Sequence, residues 1–380
     1  MPVRSERFLV IKLADLGDAL TATPALRALR TSYPSARIDV LVTSMGGRAL
    51  AGLDSVDRIH SFEKAQFDRL RPRLRPLAEA IRIGLRLRLE HYDRVFLFHH
   101  LFTAAGRVKY RALLTAIGSR WRGGLAEARP SFLTANAIDL GYGIRHEADY
   151  WLDVVALAGA RPTRPPRVEM AIGDDARQRA KLLLGRPSDP PRPRVALYPG
   201  SGSFSEGRRW SEERYVAVGR TLVADNNADI LVVGNAAETQ IGDRICEQIG
   251  SRGRNLAGQT DLKTLAAVLE NCDLLIGNDG GVTHVAVAAG VPVIAIFGPT
   301  NHVSWGPYAG RRSVDEEPTT WPGSVIRHDL PCSPCLYRGF LPGTPRGCRS
   351  HDCLGLIEPA RVVLKAKAVL AAKSRPVRPP

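Results

Sequence analysis

The chain has 380 residues, 44% hydrophobic and 24% charged, an ordinary globular composition but too long for one compact core, so two domains are expected. Its formal net charge is +15, from 53 Lys and Arg against 38 Asp and Glu, and such a protein attracts nucleic acid, anionic lipid or phosphorylated substrates. Aromatics are 6% and no nucleic-acid-reading motif appears, which sets nucleic acid aside and leaves phosphorylated small molecules and anionic lipid.

The opening MPVRSERFLV leads directly into a strand without a charged-then-apolar signal pattern, so a cytoplasmic protein is expected. The longest weakly polar run, 285–298, is broken by Gly290 and Pro292 and is too short to span a bilayer. Residues 7–13 (RFLVIKL) read as a buried strand, 14–18 as its exit loop, 19–30 as an amphipathic helix stopped by Tyr33-Pro34, and 37–42 as the next strand. The loop ends in Asp18. A carboxylate there is placed to take a proton from an attacking hydroxyl, and equally to cap the helix behind it; Asp15 is the weaker competitor.

Residues 69–88 (RLRPRLRPLAEAIRIGLRLR) carry seven arginines, Arg69, Arg71, Arg73, Arg75, Arg82, Arg86 and Arg88, with Leu77, Ile81, Leu85 and Leu89 at helical spacing. Such a helix suits anionic lipid or acceptor phosphates; a solvated face is the plainer alternative. Strand 94–98 follows, and the α/β pattern continues to residue 159. Two stretches rich in proline and arginine, 161–167 and 186–194, bracket a short helix at 175–184, so 1–160 is expected as one domain and 161–193 as the connection.

The second half restarts with strand 195–198 and the loop PGSGSFSEGRRW over 199–210. Helices at 211–224, 238–249 and 262–269 and a strand at 229–233 precede the most informative stretch, 271–300 (NCDLLIGNDGGVTHVAVAAGVPVIAIFGPT). There a buried strand, the turn Asn278-Asp279-Gly280-Gly281, a short helix ended by Gly290 and Pro292, and a second buried strand form another β–loop–α–β unit with parallel strands. A ligand in such a unit sits at the end of the first strand against the helix N-terminus, whose orphan N–H groups suit a phosphate. Gly280 and Gly281 let a phosphate approach those amides, and Asp279 projects beside it; as alternatives, Asp279 is an N-cap, the glycines a plain turn and His284 a structural histidine.

The loop 199–209 occupies the same kind of position, with amides and hydroxyls from Ser201, Gly202 and Ser203 and fixed charge from Arg208 and Arg209. Together the two loops would hold a diphosphate from both sides. Cys246 and Cys272 read as buried thiols. Cys332-x2-Cys335-x12-Cys348-x4-Cys353 fits a structural Zn or Fe site or free thiols. The C-terminal domain is expected over 194–357, with the Cys-rich loop at 332–353 and a terminal helix and basic tail at 358–380.

These motifs resemble glycosyltransferase family 9, the heptosyltransferases that move heptose from an ADP-heptose to the inner core of lipopolysaccharide. The likeness lies in Leu16-Gly17-Asp18 with Thr23-Pro24-Ala25-Leu26, in Pro199-Gly200-Ser201 through Arg208-Arg209-Trp210, in Asn255-Leu256-Ala257-Gly258, and in Asn278-Asp279-Gly280-Gly281-Val282-Thr283-His284. Gly290-Val291-Pro292, Phe297-Gly298-Pro299-Thr300 and the start of the Cys-rich loop complete it. The resemblance implies the GT-B fold: an α/β chain of two Rossmann-like domains with parallel sheets facing a central cleft, acceptor on the first and sugar nucleotide on the second. It also implies Asp18 as general base, a diphosphate held by Ser201, Ser203, Arg208 and the amides of Gly280, Gly281 and Val282, and Asp279 on heptose hydroxyls. Two departures stand out: Arg208 where the family often has Lys, and Gly280 where it usually has Ser or Thr. The implied chemistry is inverting transfer from ADP-L-glycero-D-manno-heptose to Kdo-lipid A or heptosyl-Kdo-lipid A. No catalytic cofactor is needed, domain closure excludes water, and the enzyme works peripherally on the cytoplasmic side of the inner membrane. The alternatives are the same donor chemistry on a protein or other glycan, a sugar-nucleotide 2-epimerase, and a non-catalytic nucleotide-binding module.

Overall fold

The structure, a computed structural model, describes residues 5–62, 74–128, 130–186, 188–202, 205–308, 323–336 and 348–373. The chain divides into two compact units, Met1–Ala171 and Ile172–Pro380.

In the first unit six parallel strands, β1 (Arg7–Lys12), β2 (Arg37–Val42), β3 (Arg58–Ser61), β4 (Arg94–Leu97), β5 (Trp121–Ala126) and β6 (Ala135–Ile138), lie in the order β3-β2-β1-β4-β5-β6. Both faces of the sheet are covered. Along β1, Phe8 and Val10 enter one apolar cluster with Leu26, Phe96 and Trp151, while Leu9 and Ile11 enter another with Leu97, Leu114 and Leu133. This strict alternation into two cores explains why β1 reads as a continuous apolar run.

The second unit repeats the arrangement. Strands β7 (Arg194–Tyr198), β8 (Asp229–Val232), β9 (Gly253–Asn255), β10 (Leu274–Asn278), β11 (Val293–Ile296) and β12 (Gly323–Ile326) pair in parallel in the order β12-β11-β10-β7-β8-β9. Counted from its own first strand, each sheet runs 3-2-1-4-5-6, the doubly wound Rossmann order. The helix Asp174–Leu184, inside the expected connection, packs on the helix Leu262–Glu270 of this unit. The terminal helix Pro359–Lys373 sends Val362, Val363, Ala366 and Leu370 into the core beneath β10 and β11.

One expected element is corrected. Instead of a loop to Asp18 and one helix over 19–30, the chain forms two helices, Leu16–Thr21 and Thr23–Ser32, joined at Ala22. Pro24 has no N–H and its ring crowds the carbonyl one turn back, at Leu20. The Thr23 hydroxyl donates to that Leu20 carbonyl at 2.8 Å and satisfies it.

Candidate active site

In the second unit the chain leaves the sheet at Tyr198 (β7) and Asn278 (β10). These are adjacent central strands at which the winding direction reverses, the point where such sheets hold ligands. Asn278 is fully buried and stitches the two exits together. Its Nδ2 donates to the carbonyls of Pro199 (2.8 Å) and Gly200 (3.0 Å), and its Oδ1 accepts from the backbone N–H of Trp210 (3.0 Å) and the hydroxyl of Tyr215 (2.9 Å). Glu238, also buried, holds the same loop from the other side. Its Oε1 accepts from the amides of Ser201 (3.1 Å) and Gly202 (3.2 Å), and its Oε2 from Asn235 (2.8 Å). A Cβ on Gly200 would stand 1.8 Å from Glu238 Oε1, so only glycine lets the loop pass this close.

On this fixed loop sits Arg208, itself buried. Its guanidinium donates to the Ser201 carbonyl at 2.6 Å and to Asp279 Oδ2 at 3.3 Å. Arg209 Nε donates to Ser201 Oγ at 3.2 Å, and its other end reaches Glu206 at 3.4 Å. Ser201, Arg208, Arg209 and Asp279, 71 positions apart at the Arg208–Asp279 contact, are therefore brought together as one group. Gly280 and Gly281 then open the helix Gly281–Ala288, which carries Val282 and His284 as buried residues. A Cβ at Gly280 would meet Tyr198 Cε1 at 3.0 Å and its hydroxyl at 3.1 Å, so the tyrosine ring fills the space a larger residue would need. Burial, seconded by Glu238, pushes the Tyr198 phenol well above its ordinary range and keeps it a neutral hydroxyl. Ser203 lies outside the described residues. Glu238 and Asn278 were missed as functional residues. The Asn235-x-x-Glu238 capping box was the one signal that would have singled out Glu238.

In the first unit Asp18 is the third residue of the helix Leu16–Thr21, and Asp15 takes the N-cap position without a side-chain cap bond. Asp18 is therefore not the cap of the following helix. It follows the end of β1, which pairs with β4 where this sheet also reverses direction. Its Oδ1 is 3.3 Å from the ammonium of Lys12, the side chains being 26% and 4% exposed.

Of the arginine stretch, Arg69, Arg71 and Arg73 lie outside the described residues, as does the side chain of Arg75. The helix Leu74–Arg88 buries Ala80, Gly84 and Leu87 and leaves Ile81 (40%) and Leu85 (52%) exposed among Arg82, Arg86 and Arg88. Arg82 pairs with Glu79 at 2.7 Å. Among the described residues no helix is long and apolar enough to cross a membrane.

The expected metal site finds no support. Cys332, Cys335, Cys348 and Cys353 are free thiols, and among the described residues no group of three or more His, Cys, Asp or Glu is placed to hold a metal ion. Cys353 packs into the core beside Leu354, and burial pushes its thiol up to about 11.

Comparison with known proteins bears on the family and the fold. The sequence pattern of Glycosyltransferase family 9 (heptosyltransferase) matches residues 80–321. Lipooligosaccharide heptosyltransferase 2 of Haemophilus influenzae is 25% identical over 323 residues, covering 80% of this chain and 87% of the relative. Lipopolysaccharide heptosyltransferase 1 of Pseudomonas aeruginosa is 24% identical over 380 residues, covering 96% and 98%. The solved structure of E. coli ADP-heptose lps heptosyltransferase II superposes with a TM-score of 0.70 at 20% identity, covering 97% of this chain and all of that one. With a family pattern spanning well over half its length and the GT-B fold of two Rossmann-like domains, the chain belongs to glycosyltransferase family 9 and is a glycosyltransferase.

Proposed function

We propose that the protein is an inverting heptosyltransferase that moves heptose from ADP-L-glycero-D-manno-heptose to the inner core of lipopolysaccharide, on Kdo-lipid A or heptosyl-Kdo-lipid A. The single observation that carries this reading is the buried Arg208, held between Asp279 and the Ser201 carbonyl at the sheet switch point. A fixed guanidinium beside a helix N-terminus is a diphosphate cradle. The relatives, lipooligosaccharide heptosyltransferase 2, lipopolysaccharide heptosyltransferase 1 and an ADP-heptose enzyme, support the donor and the acceptor class.

The acceptor hydroxyl attacks the anomeric carbon of the donor. The bond from that carbon to the β-phosphate oxygen breaks, and ADP leaves from the opposite side with inversion. Asp18 takes the hydroxyl proton as general base. Arg208, with the N-terminal amides of Gly280, Gly281 and Val282, meets the charge growing on the leaving diphosphate, which is electrostatic stabilisation by groups already in place. Arg209 and the hydroxyls of Ser201 and Ser203 complete the phosphate site, and Gly202 and His284 line it. Asp279 orients the heptose through its hydroxyls. Because Glu238 engages the Ser201 and Gly202 amides, those amides serve to fix the loop, leaving the hydroxyls and guanidinium for the donor. The exposed Ile81 and Leu85 among arginines support peripheral binding to the anionic cytoplasmic face of the inner membrane.

The test is transfer by the purified protein from ADP-heptose to Kdo-lipid A and to heptosyl-Kdo-lipid A, read by mass spectrometry with UDP- and GDP-sugars in parallel. A gain of one heptose from the ADP donor is expected on one of the two. Transfer from a UDP- or GDP-sugar instead, or no gain on either acceptor, would contradict the assignment.

A further inference from the structure

Lys12 is a charge inside a buried strand, and no step of the proposed reaction uses it. It ends β1 with its side chain 4% exposed and its ammonium 3.3 Å from Asp18 Oδ1. Behind it lie Glu147 Oε2 at 4.0 Å and the Trp151 ring, 4.1 Å to the centroid. Glu147 Oε1 is 3.1 Å from His100 Nε2, and His100 Nδ1 is 2.9 and 2.8 Å from the two oxygens of Asp139.

Both imidazole nitrogens lie within hydrogen-bond distance of carboxylate oxygens, an arrangement that favours the doubly protonated ring. Burial draws its pKa down, but the bonds to Asp139 and Glu147 outweigh that and the net direction is up. The result is a row of alternating charge running outward: Asp139, His100, Glu147, Lys12, Asp18. The first four side chains are all but fully buried, and only Asp18 opens to solvent. The row draws on the ends of β1, β4 and β6 and on the starts of two helices, Leu16–Thr21 and Glu147–Ala156. Isolated charges are not retained at such depth without partners, and each member here compensates the next.

We infer that Lys12 is a positioning residue for proton transfer: it fixes Asp18 through Oδ1 so that the other carboxylate oxygen meets the acceptor hydroxyl, and Glu147, braced by His100 and Asp139, fixes Lys12. This rests on Asp18 being the base. When Asp18 takes the proton its negative charge is lost, and Glu147 remains as the partner that keeps the buried ammonium compensated.

Lys12→Met alone would strand Glu147 and risks unfolding. The test is therefore the double variant Lys12→Met/Glu147→Gln, which removes both charges while Gln still accepts from His100. It is compared with Asp18→Asn in transfer from ADP-heptose, with thermal melting to check folding. The double variant is expected to melt near the wild-type temperature and to lose about 10- to 100-fold in kcat at unchanged donor KM, the scale of a displaced reacting group. Adding Asp18→Asn to it should cost no more than Asp18→Asn alone, because the two act through one group. A folded double variant turning over at the wild-type rate while Asp18→Asn is slow would overturn the role of Lys12. Wild-type turnover by Asp18→Asn would instead overturn Asp18 as base, and the inference with it.

Discussion

Arg208 shows how much of the proposed site depends on one side chain. Its fork spans a loop carbonyl and a buried carboxylate at once, which a lysine's point charge cannot reproduce. Arg208→Ala should weaken ADP binding by about 10- to 100-fold, the scale of a charge-assisted hydrogen bond lost from a buried site, and Arg208→Lys should fall between. Calorimetric titration with ADP checks this; an Arg208→Ala protein that binds ADP as tightly as the parent would remove the guanidinium from the diphosphate site. The residues that stand out as loop chemistry in the sequence, Asp18, Arg208 and Asp279, all lie on the segments that lead out of a strand end. Those that did not read as such are Asn278, Glu238 and Lys12. Asn278 and Glu238 act on backbone groups 79 and 37 positions away, and no local pattern signals such a pairing. Lys12 looked like one more residue of an apolar strand, although a lysine within RFLVIKL is itself the anomaly. Gly280 departs from the residue type the family resemblance implies, and the Tyr198 ring that fills the space beside it accounts physically for a glycine there.

At the scale of elements, buried apolar segments were legible and partly exposed edge strands were not. The central strands β1, β2, β7, β8, β10 and β11 are buried runs bounded by turn residues, which is why their positions could be read from the sequence pattern. Edge strands such as β3 and β9 are only partly buried and offer no apolar run for the sequence to signal. The helix Leu74–Arg88 was legible as amphipathic, but its buried side was not. Gly84 lies against the helix Ala104–Ile117, where an added Cβ would stand 2.6 Å from Ala116 Cβ and 2.9 Å from the Leu113 carbonyl, so the glycine side faces inward. Ile81 and Leu85 are thereby turned outward beside the arginines. If this face lies on anionic lipid, Arg82→Glu/Arg86→Glu should weaken partitioning onto phosphatidylglycerol vesicles by at least about tenfold, since each surface arginine contributes roughly 1 kcal/mol there. Sedimentation with vesicles measures it, and equal partitioning of the variant and parent would exclude this helix as the membrane contact.

Across the whole molecule, two units with the same strand order each carry a charged pair after the strand where the winding reverses: Asp18 with Lys12 in the first, Arg208 with Asp279 on a loop fixed by Asn278 and Glu238 in the second. That repetition was visible in the sequence as two β–loop–α–β openings, and it is what made the family resemblance readable over most of the chain. A division of labour follows from it. Altering the acid of the first unit should stop transfer without touching nucleotide affinity, and altering the cradle of the second should reduce both. The most direct test is Asp18→Ala, assayed for the initial rate of heptose transfer and for the ADP dissociation constant on the same preparation. The predicted result is a rate about 10²- to 10⁴-fold lower, the usual contribution of a general base, with ADP bound as tightly as before. Transfer at the parental rate, or ADP affinity lost together with turnover, would contradict it.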